Sequence, residues 1–86
     1  MLDKGKKSEI QMRLIDFISE AFFVEKNDIN IDESLVSSGI IDSIGLIEIS
    51  DYISSTYHLT ISESDMNADN FGSISKMVEF IDRNVS

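Results

Sequence analysis

The chain has 86 residues, 42% of them hydrophobic, with 16 Asp and Glu against seven Lys and Arg, a net charge of −9, one histidine and no cysteine. A chain this short makes one domain that buries about 60–65% of its unfolded surface, which argues against a large enclosed active site. The absence of cysteine excludes disulfides, thiolate metal sites and a cysteine nucleophile, and no apolar run approaches the ~20 residues of a membrane span.

The charge is divided along the chain. Residues 1–26 and 76–86 hold all seven Lys and Arg, balanced by Asp3, Glu9, Asp16, Glu20, Glu25, Glu79 and Asp82. The whole −9 therefore lies in residues 27–75, on Asp28, Asp32, Glu33, Asp42, Glu48, Asp51, Glu63, Asp65 and Asp69. Phosphate backbones and anionic lipid are repelled by such a segment, so nucleic acid and membrane insertion are not expected, whereas partners with basic patches are favoured.

Residues 1–7 read as a flexible N-terminus, followed by an amphipathic segment instead of the apolar core of a signal peptide, so the expected location is cytoplasmic. Ile10, Leu14, Phe17, Ile18, Ala21 and Phe22 recur at helical spacing, and Ser8 with Gln11 has the spacing of a capping box. The first helix is expected over about residues 8–23. Next comes an eighteen-residue connection, Val24 to Ile41, too long for a compact domain unless it is functional or held down. Ile29, Ile31, Leu35, Val36, Ile40 and Ile41 are its expected pins, and Gly39 supplies a positive-φ turn.

Asp42 is a strong N-cap type for a middle helix over about residues 43–56. Stepping 100° per residue puts Leu46, Ile49, Ile53 and Tyr57 on the core stripe. Ser43, Ile47, Asp51 and Ser54 then face away, with Ile44 and Glu48 at the margin. Two isoleucines beside an exposed serine, ringed by Asp42, Glu48 and Asp51, suggest a small hydrophobic docking patch with an acidic rim. Ser43 itself stands at the first turn of a helix, where free N–H groups and the positive end of the helix dipole favour a phosphate. A phosphodiester built on its hydroxyl is stabilised where it stands.

Tyr57, Leu59 and Ile61 alternate as a strand does, but three positions do not overturn a helical reading. One short helical turn is expected near residues 67–71. A last helix over about 74–83 follows from Ile74, Met77, Val78 and Ile81, with Ser73 as N-cap and Asn84 at its end.

Two other chemistries compete with this reading of the elements. Asp28-x-Asn30-x-Asp32 and Asp65-x-Asn67-x-Asp69 imitate the opening of a calcium loop, but its sixth position is Glu33 or Asn70 instead of glycine and its twelfth is Gly39 or Lys76 instead of glutamate. Turn-forming Asp and Asn account for both segments without a metal. Ser43-Ile44-Gly45 supplies half of a nucleophile elbow, but Ile41 stands where its first glycine belongs. His58, fifteen residues on, lies about 22 Å away along a continuous helix, too far to act as a base. No catalytic residue is assigned.

The segment Gly39-Ile40-Ile41-Asp42-Ser43-Ile44-Gly45-Leu46-Ile47-Glu48-Ile49, with its pinned acidic loop before and short helix after, resembles the acyl carrier protein family over about residues 8–84. Ile44 stands where that family more often has leucine. The resemblance implies an all-α bundle of three main helices and a short fourth, forming one carrier domain over residues 1–86, acting as a monomer. It implies 4'-phosphopantetheine, derived from coenzyme A, on Ser43, with Asp42 as the motif's helix cap. The thiol of that arm would hold fatty acyl, polyketide, aminoacyl or other intermediates as thioesters. Ile44, Ile47 and Glu48 match positions that partner enzymes read, and Asp51, often apolar in the family, extends the same face. The implied partners are a phosphopantetheinyl transferase, an acyl- or aminoacyl-activating ligase or transferase, and downstream biosynthetic enzymes. The competing reading is an unmodified acidic interaction module or weakly calcium-responsive helical protein.

Overall fold

A computed structural model describes residues 3–85. It is all-helical, with α1 (Lys4–Phe22), α2 (Ser43–Tyr57), a four-residue α3 (Ala68–Phe71) and α4 (Ile74–Asn84), plus 3-10 turns at Lys26–Asp28 and Glu63–Asp65. The all-α bundle of three main helices and a short fourth is the expected fold. No strand occurs among the described residues; Leu59 and Ile61 pack against the core from an irregular segment.

α1 begins earlier than expected. Asp3 caps it, its carboxylate accepting from the Lys6 N–H at 2.8 Å, so Lys4 to Lys7 form the first turn and Ser8 lies inside the helix. Asp outranks a position with no end to cap, and its charge also suits the helix dipole. Of the expected flexible N-terminus, Met1 and Leu2 lie outside the described residues.

Both long helices end without glycine, by one shared device. Phe23 and His58 adopt φ 56°, ψ 46°, the left-handed closure usually given to Gly or Asn. The next N–H, of Val24 or Leu59, returns to the carbonyl of Ser19 or Ser54, and the same serine's hydroxyl donates back to the Val24 or Leu59 carbonyl at 2.6 Å. Ser19-x-x-Phe22-Phe23-Val24 and Ser54-x-x-Tyr57-His58-Leu59 are thus one motif used twice. Ser54, expected to face away, is half-buried because of this clamp.

The core is formed by Ile10, Leu14 and Ile18 of α1, Ile49 and Ile53 of α2, Phe71 of α3, and Ile74, Met77, Val78, Phe80 and Ile81 of α4. Phe17 stacks on Tyr52 with ring centroids 4.3 Å apart, joining α1 to α2. The long connection is held as expected by Ile29, Leu35 and Ile41, all buried, with Ile31 and Ile40 packed at its edge. Val36 is the exception, exposed on the surface. Backbone bonds finish the anchoring: Leu35 N–H donates to Gly72 O, Ser75 N–H to Ile31 O, and the Ser75 hydroxyl to Asp32. Gly39 turns the chain with φ 83°, which delivers Ile41 to the core and Asp42 to the start of α2.

Candidate functional site

α2 starts where its sequence says it should. Asp42 is extended, its Oδ1 accepts from the Gly45 N–H at 2.8 Å and its carbonyl accepts from Leu46 N–H at 3.1 Å. Ser43 is the first helical residue and is exposed. The N–H groups of Ser43 and Ile44 precede the first possible intrahelical acceptor and point outward from the helix end.

What fixes the direction of this end is Gly45, which is buried. A Cβ there would sit 3.0 Å from the Phe22 ring and 3.1 Å from Ile41 Cβ, so α2's first turn lies against both α1's last residue and the loop that precedes it. Glycine at this point lets α2 come close enough for Phe22 and Ile41 to brace it.

Gly45, Ile49 and Ile53 form the inward stripe of α2. Leu46, expected in that stripe, is half-buried instead, because the stripe is centred one residue earlier, where Phe22 closes on Gly45. Tyr57 is likewise half-buried. The opposite side carries Ile44 and Ile47, 68% and 54% exposed, with Glu48 and Asp51 exposed beside them. Residues 44, 47, 48 and 51 share one helix face by their spacing, and Ser43 sits one turn before Ile47. The structure thus brings Ser43, Ile44, Ile47, Glu48 and Asp51 to one surface, with Asp42 exposed at its edge as the helix cap.

Two concavities border this surface. A shallow hollow lies between Phe22 and the Gly39–Asp42 segment. A groove of about 180 Å³ runs between Val36, Leu46, Met66 and Phe71. The exposed Val36 and half-buried Leu46 thereby share one apolar lining, which a helical wheel of α2 alone does not reveal.

The competing chemistries fare differently. Among the described residues no three His, Cys, Asp or Glu are grouped to hold a metal ion. Asn30 accepts from the Asp32 N–H, Asp65 pairs with Ser62 in a capping box, and Asn67 caps α3, so the calcium-like segments are turns and caps. His58 is exposed at the far end of α2 as its C-cap.

Residues 13–81 match the family described as the phosphopantetheine attachment site. Among similar proteins is a D-alanyl carrier protein of Lactobacillus delbrueckii subsp. bulgaricus, 31% identical over 71 residues that cover 83% of this chain and 88% of the relative. Others are the D-alanyl carrier proteins of Streptococcus thermophilus, 27% identical over 83% of this chain and 89% of the relative, and of Streptococcus mutans, 26% identical over 85% and 91%. With this helical bundle, that match over most of its length and these relatives, the chain belongs to the acyl carrier protein family, whose members bear 4'-phosphopantetheine.

Proposed function

We infer that the chain is a discrete carrier whose 4'-phosphopantetheine is attached at Ser43 and whose cargo is an aminoacyl group, D-alanine being the best-supported candidate. The observation that carries the attachment site is the exposed Ser43 hydroxyl at the capped start of α2. The cargo reading rests on the relatives, which are D-alanyl carrier proteins.

The residues present fit the cofactor's phosphate. The Ser43 hydroxyl is accessible on one side, and the outward N–H groups of Ser43 and Ile44, at the positive helix end, favour the negative charge that the attachment brings. Asp42 does not compete for those donors, since its carboxylate is bound to Gly45 N–H one turn on. When bound, the cofactor supplies a thiol that holds cargo as a thioester. The protein's own task is to hold the attachment point on a rigid helix end and to present Ile44, Ile47, Glu48 and Asp51 beside it. Ile44 and Ile47 give a partner apolar area to bury, and the two carboxylates select a basic surface and speed encounter. His58, the one histidine, caps the opposite end of α2 from Ser43, and the family is generally non-catalytic, so attachment and loading are assigned to the partners. The partners are a phosphopantetheinyl transferase and an aminoacyl-activating ligase.

Incubation with coenzyme A and a broad-specificity phosphopantetheinyl transferase should add one phosphopantetheine mass, and Ser43→Ala should abolish it. Subsequent incubation with ATP, D-alanine and a D-alanine-activating ligase should add one alanyl mass that hydroxylamine removes. Loading by a fatty acyl or polyketide enzyme in place of the ligase would overturn the cargo assignment while leaving the carrier reading intact.

A further inference from the structure

We propose that Phe23 is a second hydrophobic anchor for the phosphopantetheinyl transferase, on the Phe22 side of the hollow whose Asp42 side leads to Ser43; this rests on the reading of Ser43 above. Phe23 is 94% exposed, more than Met12, Ile44, Ile47 or Val36. Folding gains almost nothing from burying it. Its backbone is left-handed at φ 56°, a conformation that bulky side chains avoid and in which glycine is favoured. The equivalent seat at the end of α2 holds the polar His58. A large aromatic side chain is thus kept where both backbone and solvent disfavour it, and such outliers mark sites of interaction.

Its position indicates the occupant. Phe22, its neighbour in the chain, packs within reach of Gly45 and Ile41, so Phe23 is carried at the same pole of the molecule as Ser43. An enzyme that brings coenzyme A to the Ser43 hydroxyl must cover the surface around it. A standard interface removes about 800 Å² per partner, a patch of roughly 16 Å radius, wide enough to reach from Ser43 across the hollow. Aromatic residues are the preferred anchors of such patches. The exposed acids Glu25, two residues on from Phe23, and Asp42, across the hollow from Phe22, complement an apolar pocket with a basic rim on the transferase.

The experiment measures initial rates of phosphopantetheine transfer at limiting carrier for wild type, Phe23→Gly and Phe23→Tyr, with thermal melts of each. Phe23→Gly should lower kcat/KM about five- to thirtyfold, mainly through KM, the range of an interface anchor, while its melting temperature equals or exceeds that of wild type. Phe23→Tyr should keep the wild-type rate. A Phe23→Gly rate within about twofold of wild type, or a lowered melting temperature, would overturn the proposal and leave Ser43 as the attachment site untouched. A wild type that stays unmodified would remove the Ser43 reading and this one together.

Discussion

Ile47 and Ile49 are identical in chemistry and two residues apart, yet one is 54% exposed and the other fully buried. Ile49→Ala should therefore cost about 2–5 kcal/mol as a core truncation, and Leu46→Ala, half-buried at the groove, roughly half as much. Ile47→Asp should barely change the melting temperature while sharply slowing transfer and loading, because it sets a charge at the centre of the patch. Glu48→Lys should slow association with an effect that fades at high salt. Chemical denaturation and transfer rates on the same four variants check this division. If Ile47→Asp unfolds the protein and Ile49→Ala does not, the assigned face is wrong. The cap at Asp42, the helix start at Ser43 and the exposure of Ile44 and Ile47 are legible in the sequence because capping and helix phase are local. The exposure of Val36 and the only partial burial of Leu46 against the core are not legible, because they depend on how the 24–41 connection packs against α2 and α3, which no local pattern states.

At the scale of elements, the ends of helices decide how the site is aimed. Their centres follow from hydrophobic spacing, but α1 and α2 close without the glycine that usually announces an end, and the Ser-x-x-aromatic repeat is visible only once both closures are seen. His58→Gly should raise stability by about 0.5–1 kcal/mol, the relief of a left-handed residue less the greater freedom of glycine in the unfolded chain. Ser54→Ala should lower it by about 1 kcal/mol through the lost clamp to Leu59. A destabilised His58→Gly would contradict the closure described. Between the elements, Gly45→Val should cost on the order of 1–3 kcal/mol by overpacking against Phe22 and Ile41, and it should also slow modification because it swings the start of α2.

At the scale of the whole molecule the net charge lies in one stretch of the chain, residues 27–75. The ion pairs among the described residues, Lys6 and Arg13 with Glu9, Lys7 with Glu79 and Asp82, and Lys26 with Asp16, do not reach the nine carboxylates of residues 27–75. Salt or millimolar magnesium should raise the melting temperature by screening that segment, and calcium should do no more than magnesium. A calcium-selective response at micromolar levels would contradict the reading of Asn30 and Asn67 as turn and cap residues. At high pH two groups act in one direction. The Lys7 ammonium is held above its ordinary 10.5, first by its hydrogen bond to Glu79, so its contribution is present below that value and lost as pH rises through the folded pKa. Burial raises the Tyr57 hydroxyl above 10.0, so the unfolded chain ionises first and stability falls beyond that point. Tyr57→Phe, which removes a buried hydroxyl with no partner among the described residues, should melt no lower than wild type near neutral pH and lose less as pH rises beyond 10.0. The central claim, that this acidic bundle exists to carry a cofactor on the first residue of α2, is tested most directly by peptide mass spectrometry of the protein purified from its own host. One phosphopantetheine on the peptide containing Ser43 is the expected result; an unmodified Ser43 peptide, or the same mass on a different serine, would contradict it.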